Sequence, residues 1–380
     1  MVIAVPREAG VDEKRVALTN DGVKVLVGEG YDILVRSEAG YGAAVGNTTY
    51  EQAGARVVAE AEPLVEVADL TLCVEFDPAV VAKLKRGSAL MGFLNPLGNL
   101  EAMGELAAKD ISAFSMELVP RISRAQAMDA LSSMSTVAGY KSVVLAAAQI
   151  PKFFPMLMTA AGSIPPARVL IIGAGVAGLQ AIATARRLGA VVEAFDVRPS
   201  VKEQVESLGG KFVDWGLSAE EAEDSGGYAK EVAGDTHSRE LKVIGERVPK
   251  CDVVIATALI PGKRAPILIT EEMVRGMVRG SVIVDLAAVG GGNCELTKPG
   301  EVIDFHGVTI IGSLDLASSM SVHSSRMYSK NITAFVKSMT KDGVLNIDLE
   351  DEVVAGSLVT HGGRIVHAPT RIALEQGETS

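Results

Sequence analysis

Two long stretches of the chain alternate short apolar runs with segments whose apolar residues recur at helical spacing. Runs of four to six apolar residues recur through residues 1–120, and the same rhythm returns after the break Ile164-Pro165-Pro166. This pattern is typical of β-α-β units, in which helices cover a mostly parallel sheet. The predicted strands are Val2–Val5, Asp32–Val35, Asp69–Val74, Ala89–Leu94, Ile111–Met116, Val169–Ile172, Val191–Asp196, Lys211–Val213, Asp252–Thr257, Ser281–Leu286 and Val308–Ile311.

Two longer segments lack the turn signals found elsewhere. Residues 121–149 contain no Gly or Pro except Gly139, which predicts one long helix, and Met320–Val336 predicts another. Residues 345–370 are expected to be irregular, with short helices. We therefore expect two α/β domains, a discontinuous one of residues 1–130 with 325–380 and a second of residues 137–318, joined by linking helices at 121–149 and 316–336.

Composition narrows the class of protein. The chain has 380 residues, of which 48% are hydrophobic and 22% charged, as in globular proteins of more than one domain. No apolar run reaches the roughly 18 residues that span a bilayer, and the first residues lack a signal peptide pattern, so we expect a cytoplasmic protein. A net charge of -11 disfavours binding to nucleic acid. The cysteines are isolated and show no zinc-ligand spacing, so no metal is expected.

A glycine-rich turn provides the first sign of chemistry. Gly173-Ala174-Gly175-Val176-Ala177-Gly178 follows a predicted strand and opens a predicted helix, Val176–Leu188. In this context the three glycines allow a tight turn, close approach of a pyrophosphate to the helix N-terminus, and close packing of the helix on the strand. The alternative is a glycine turn required by packing alone.

Asp196 completes this motif at the end of the next strand. At about 20 residues from the glycines, a carboxylate can accept hydrogen bonds from the adenosine ribose hydroxyls, and its charge disfavours the 2′-phosphate of NADP(H). The sequence therefore predicts an NAD(H) site in a Rossmann-like domain, although Arg198 two residues later weakens the argument from charge.

Two further segments are candidates. On the predicted helix 121–149, Gln126, Asp129 and Ser133 share one face, and with a nearby arginine they offer donors and acceptors suited to a nicotinamide carboxamide; a solvated helix face is the alternative. Residues 216–237 are acidic and contain Gly226-Gly227, so we expect a mobile surface loop. Its Tyr228 suggests a lid, the alternative being a solvated insertion that happens to contain a tyrosine.

With these motifs, nearly the whole chain resembles the NAD(H)-binding component of proton-translocating NAD(P) transhydrogenases, within the alanine dehydrogenase and transhydrogenase superfamily. The stretches that carry the resemblance are Val5-Pro6-Arg7-Glu8, residues 14–18, Pro120–Asp129, residues 158–162, Gly173–Asp196 with Val197-Arg198-Pro199, residues 261–266, Gly291-Gly292-Asn293-Cys294 and residues 367–370.

The resemblance implies roles for particular residues. Arg121, Gln126 and Asp129, with Ser132 beside them, would hold or face the nicotinamide, and Tyr228 would lie on a mobile loop that closes over NAD(H). The cofactor-binding candidates are Gly173, Ala174, Gly175, Val176, Ala177, Gly178, Asp196, Val197, Arg198, Tyr228, Thr257, Ala258, Leu259 and Gly262.

The resemblance also implies a reaction and partners. Hydride would pass directly between NAD(H) on this chain and NADP(H) on a partner beta subunit, coupled to proton translocation by a membrane-spanning subunit. The chain would be a homodimer of two Rossmann-like domains per copy, held at the inner face of the cell membrane through its partners.

Two other functions fit the same scaffold. An alanine-type dehydrogenase would need a Lys and a His where this chain has Leu72-Cys73-Val74-Glu75 and Leu94-Asn95-Pro96, and neither residue is present there. A non-catalytic NAD(H)-binding module would show the same motifs and differ only in an assay.

Overall fold

The computed structural model describes residues 1–10, 12–59, 63–216, 234–259, 264–341 and 343–377. The chain divides into two compact units, Met1–Met134 with Ala317–Ser380, and Ser135–Leu316. Each unit contains a mostly parallel sheet with helices, which confirms the predicted α/β class. Within the described residues, no helix combines the length and apolarity needed to cross a bilayer.

The first unit begins with six parallel strands and the helices between them. The elements are β1 (Val2–Val5), α1 (Asn20–Gly28), β2 (Asp32–Arg36), α2 (Asn47–Gln52), β3 (Arg56–Val58), β4 (Leu70–Glu75), α3 (Pro78–Lys83), β5 (Ala89–Phe93), α4 (Leu100–Ala108) and β6 (Ser112–Ser115). Along β1, Ile3 and Val5 pack into one core while Ala4 packs into the core on the opposite face. Burial on both faces explains why such strands appear in the sequence as continuous apolar runs.

The predicted long helix at 121–149 is wrong over its first nine residues. Residues Ser123–Met128 form a 3-10 turn, and the α-helix α5 runs only from Ala130 to Gln149. Asp129 separates the two because its side chain accepts a hydrogen bond from the backbone of Ser132, as an N-terminal capping residue does.

The second unit is built around a seven-stranded sheet. Its elements are β7 (Leu157–Thr159), β8 (Gly162–Ile164), β9 (Arg168–Ile172), α6 (Val176–Arg187), β10 (Val191–Phe195), α7 (Lys202–Ser207), β11 (Lys211–Phe212), α8 (Gly234–Gly245), β12 (Val253–Ala256), α9 (Glu271–Arg275), β13 (Val282–Asp285), β14 (Val302–Phe305) and β15 (Val308–Ile311). The strand order is β11-β10-β9-β12-β13-β15-β14. The order reverses between β9 and β12, so a crevice opens at the carboxyl ends of these neighbouring strands, where open α/β sheets bind ligands.

The C-terminal segment returns to the first unit and completes its sheet. The elements are α10 (Ser321–Ser338), β16 (Thr340–Lys341), β17 (Val344–Leu345), α11 (Glu352–Ser357), β18 (Leu358–His361), β19 (Arg364–Ile365) and α12 (Ala368–Gly377). Residues 345–370, expected to be irregular, thus include β18, which pairs antiparallel with β6. The resulting order is β19-β18-β6-β5-β4-β1-β2-β3. Short strands and long-range pairing give little local signal, which is why the sequence did not predict them.

Helix α10 is buried along much of its length. Tyr328, Ile332 and Phe335 are fully buried in the core of the first unit. Gly22 on α1 permits the close approach, since a Cβ there would lie 2.3 Å from Ser329 Oγ.

A buried carboxyl group lies where β1 and β4 end. The Glu8 carboxyl oxygens accept hydrogen bonds from Val74 N at 2.7 Å and Glu75 N at 3.2 Å. Burial raises the pKa of Glu8 to about 8, and the nearby Glu13 carboxylate acts in the same direction, whereas Arg15 opposes it.

Glu8 should make the stability of the fold fall as the pH rises. The unfolded chain releases this proton near the ordinary pKa of 4.5, whereas the folded chain keeps it until about pH 8. Between those values the free energy of unfolding should decrease by about 1 kcal/mol per pH unit from this group, and by nothing further above pH 8. Urea unfolding of the wild type and Glu8→Gln at pH 5.5, 7 and 8.5 measures the difference. Parallel pH profiles for the two proteins would contradict the assignment.

Candidate functional site

The three glycines of the turn after β9 have different surroundings. Gly173 has φ +94°, a left-handed conformation that favours glycine. At Gly178 a Cβ would lie 1.8 Å from Gly173 O, so helix α6 packs against the turn too closely for any side chain. At Gly175 a Cβ would meet nothing within 4 Å. Gly175 is thus the position where the turn leaves open space at the N-terminus of α6.

The other residues of the turn fix the start of α6. Ala174 is buried, and Val176 keeps its side chain exposed. The Ala177 carbonyl oxygen would lie 2.1 Å from a Cβ on Gly139 of α5, so a glycine there allows α5 and α6 to cross closely. This contact helps to fix the first turn of α6, whose N–H groups have no partner within the helix.

Asp196 links the glycine turn to the end of the neighbouring strand. Its Oδ2 accepts from Ala174 N at 2.6 Å and from Arg198 Nη2 at 3.0 Å, and its Oδ1 accepts from Arg198 Nε at 2.9 Å. The carboxylate, predicted to be open to a ribose, is therefore paired with Arg198, and its charge is balanced. Val197 is buried, so it can offer a ligand only its backbone.

A second carboxylate near Asp196 escaped the sequence analysis. Glu240 on α8 is 4% exposed, and its Oε2 lies 3.1 Å from His237 Nδ1. Burial raises the pKa of Glu240, and the negative charge of Asp196 adds to the shift while His237 opposes it. The only signal was the spacing of His237 and Glu240 on a helix, which by itself is common.

Residues after β12 lie beside the glycine turn. Thr257 Oγ1 donates to Gly173 O at 3.0 Å. Both backbone polar groups of Ala258 bond to the buried Asn293 side chain, since Ala258 N donates to Oδ1 at 3.0 Å and Nδ2 donates to Ala258 O at 2.8 Å. Leu259 is 46% exposed. Asn293, which the sequence analysis had not assigned to the site, therefore holds this segment in place.

The polar residues proposed to face a nicotinamide belong to the first unit. Arg121 and Gln126 are exposed on the 3-10 turn and its approach, and Asp129 is half-buried. Asp129 Oδ1 accepts from Ser132 N at 2.8 Å and Oδ2 accepts from Ser132 Oγ at 2.6 Å. The expectation that Gln126, Asp129 and Ser133 share a helical face is wrong, because the α-helix begins at Ala130.

The remaining candidates are Tyr228 and Gly262, which lie outside the described residues. The structure thus brings together Gly173–Gly178, Asp196, Arg198, Thr257 and Ala258 in the second unit, and separately pairs Asp129 with Ser132 in the first.

The model of the alanine dehydrogenase/PNT N-terminal domain matches residues 4–138, and that of the alanine dehydrogenase/PNT C-terminal domain matches residues 142–368. The chain belongs to the alanine dehydrogenase/PNT family. Among relatives in this family, a chain of the NAD(P) transhydrogenase subunit alpha from Rhodospirillum rubrum is 46% identical over 97% of this chain and 98% of its own length.

Two other members place the chain within the alanine dehydrogenase/PNT family. The solved transhydrogenase structure from Sinorhizobium meliloti is similar with a TM-score of 0.86 at 41% identity, covering 96% of this chain and 100% of that one. The alanine dehydrogenase of Halomonas elongata is 30% identical over 97% of this chain and 95% of its own length. The chain is thus more similar to these transhydrogenases than to this alanine dehydrogenase.

The capping role of Asp129 predicts how its variants affect stability. Asp129→Ala should lower the free energy of unfolding by about 1 kcal/mol because the Ser132 N–H loses its acceptor, whereas Asp129→Asn keeps an acceptor and should change it little. Urea unfolding measures both variants. If Asp129→Ala were as stable as the wild type, the cap would not contribute.

Proposed function

We propose that this chain is the NAD(H)-binding subunit of a proton-translocating NAD(P)+ transhydrogenase. It transfers hydride directly between its own NAD(H) and NADP(H) bound to a partner beta subunit, and a membrane-spanning subunit couples the transfer to proton movement. The observation that carries the proposal is the glycine turn at the point where the strand order reverses, with Asp196 bound to the Ala174 N–H. Identity of 46% to a transhydrogenase alpha subunit over almost the whole chain supports it.

The second unit supplies a cradle for the pyrophosphate of NAD(H). The open space at Gly175 lies at the N-terminus of α6, where unpaired N–H groups and the helix dipole favour an anion. Asp196 lies at the end of the adjacent strand, as a ribose-binding carboxylate does. Because Arg198 balances its charge, we assign the preference for NAD(H) over NADP(H) to Asp196 together with the buried Glu240 nearby.

Two glycine variants separate ligand approach from folding. Gly175→Ala should fold with the stability of the wild type, yet bind NADH at least ten-fold more weakly because the methyl group occupies the space for the pyrophosphate. Gly178→Ala should instead lose about 1 to 3 kcal/mol of stability, because its methyl group meets Gly173 O. Fluorescence titration with NADH and NADPH, with urea unfolding alongside, measures both effects. Undiminished NADH binding by Gly175→Ala, or tighter binding of NADPH by the wild type, would contradict the assignment.

Hydride transfer between two nicotinamides requires positioning rather than acid or base catalysis. When bound, NAD(H) supplies the hydride at its nicotinamide ring, and no substrate proton is added or removed. The residues of this chain then have to orient the ring, bring it to the second ring and exclude water. We assign orientation to Arg121, Gln126, Asp129 and Ser132, and closure over NAD(H) to Tyr228.

The alanine dehydrogenase alternative is less well supported by the residues present. Where those enzymes would have a lysine, Glu75 Oε1 accepts a hydrogen bond from Arg15 Nη2 at 2.7 Å. A carboxylate already paired with an arginine is unsuited to binding a substrate carboxylate at that position.

The reaction itself gives a direct test. The purified chain should bind NADH but oxidise nothing alone, and should not act on alanine or on pyruvate with ammonia. Adding an NADP(H)-binding transhydrogenase subunit should start transfer, with deuterium moving from C4 of one nucleotide to C4 of the other. Gln126→Ala should slow transfer more than it weakens NADH binding. Solvent deuterium at C4, or amino-acid dehydrogenase activity of the isolated chain, would overturn the proposal; NADH binding with no transfer would favour a non-catalytic module.

We also propose that the chain is a homodimer, acting at the inner face of the membrane through its partner subunits. The hairpin β7–β8 supports the homodimer, because its two strands pair only with each other among the described residues and hairpins alone are marginally stable in water. Met156 is 60% exposed and Met158 is 82% exposed, as expected for a surface that another copy covers.

Breaking the hairpin surface should separate the two copies. The wild type should show twice the mass of one chain by light scattering at micromolar concentration, and Met158→Glu should shift the population toward one chain without changing the far-UV circular dichroism. The exposed Val344→Glu serves as the matched control in the first unit. A wild type of single mass, or a Met158→Glu variant that stays paired, would contradict the role of the hairpin.

A further inference from the structure

The 3-10 turn Ser123–Met128 carries Gln126 but has little internal support. Short 3-10 segments have poorer hydrogen-bond geometry than α-helices. Ala125 and Met128 anchor the turn on its apolar side, because both are buried in the core of the first unit. Its polar side needs other contacts if Gln126 is to hold one position.

An ion pair supplies one such contact. Arg124 Nη1 donates to Asp351 Oδ2 at 2.9 Å, and Nη2 donates to Oδ1 at 2.8 Å, so the pair is bidentate. The same carboxylate caps helix α11 by accepting from Val353 N at 2.8 Å. The Arg124 guanidinium lowers the pKa of Asp351 to about 2, which keeps the carboxylate charged at physiological pH. A planar fork of this kind fixes orientation as well as distance.

A second contact holds the other end of the turn. Asn331 Nδ2 on the buried helix α10 donates to Ala127 O at 2.9 Å. Asn331 is 6% exposed. The turn is therefore tied to residues 204 and 227 positions later in the chain, all within the first unit.

We propose that Arg124 and Asp351 are positioning residues for hydride transfer, holding the 3-10 turn so that Arg121 and Gln126 face the nicotinamide. This inference rests on the proposed function. The side chains are 51% and 25% exposed, and ion pairs this accessible contribute little to stability. The effect of the pair is accordingly on the geometry of the turn rather than on the stability of the fold.

The decisive variant is Asp351→Asn, since asparagine still caps a helix but loses the charge and one arm of the fork. Glu29→Gln is the matched control because it breaks the Glu29–Lys337 pair, which is similarly exposed and lies in the same unit but not on the turn. Both should keep the urea midpoint of the wild type.

Two readouts test the role. Native-state trypsin cleavage after Arg121 and Arg124 should be at least five-fold faster in Asp351→Asn than in the wild type, and unchanged in Glu29→Gln. In complex with an NADP(H)-binding subunit, Asp351→Asn should transfer hydride about ten-fold more slowly with NADH affinity within two-fold of the wild type. Arg124→Gln should have the same effect on transfer, and the double variant should be no slower than either single variant.

The outcomes separate this inference from the function on which it rests. Unchanged cleavage, unchanged transfer, or additive effects in the double variant would overturn the positioning role. A loss of transfer that follows a lowered urea midpoint would also overturn it, since a structural role alone explains that result. A wild-type complex that transfers no hydride would overturn the proposed function, and the positioning role with it, while faster cleavage would still identify the pair as an anchor of the turn.

Discussion

The burial of helix α10 in the first unit is the interaction on which the rest of that unit depends. Tyr328 and Phe335 have no exposed surface, and fully burying side chains of this size contributes about 1.5 to 3 kcal/mol each. The helix also places Asn331 against the turn that carries Gln126. The polar turn is thus held by a helix that packs for apolar reasons.

Much of the fold could be predicted because buried parallel strands leave a clear pattern. The prediction of Asp252–Thr257 agrees with β12 at Val253–Ala256, and that of Val308–Ile311 agrees with β15. Alternate residues of β12 enter cores on opposite faces, so every position is apolar. Strands β14 and β18 were missed, since β14 alternates exposed and half-buried residues at a sheet edge, and β18 finds its partner far away in the sequence.

The candidate site was only partly predictable for a similar reason. The glycine turn and Asp196 have a fixed local spacing, whereas the partner of Arg124 lies 227 residues away and Asn293 bonds to Ala258 across 35 residues. The wrong helical face around Asp129 was avoidable. An aspartate directly before a helix-forming segment is a common start signal, and it marks Ala130 as the first helical residue.

The insertion of the second unit within the first imposes an order on synthesis. Thr360 on β18 donates to Ile111 O, and these residues are 249 positions apart. At about 5–20 residues per second, a ribosome needs on the order of 10 to 50 s to make the intervening chain. The second unit is complete before that time, while β6 waits with an unpaired edge of the kind that other chains can join. The nascent protein therefore passes through a period in which its first sheet is open to mispairing and its nucleotide-binding unit is already whole.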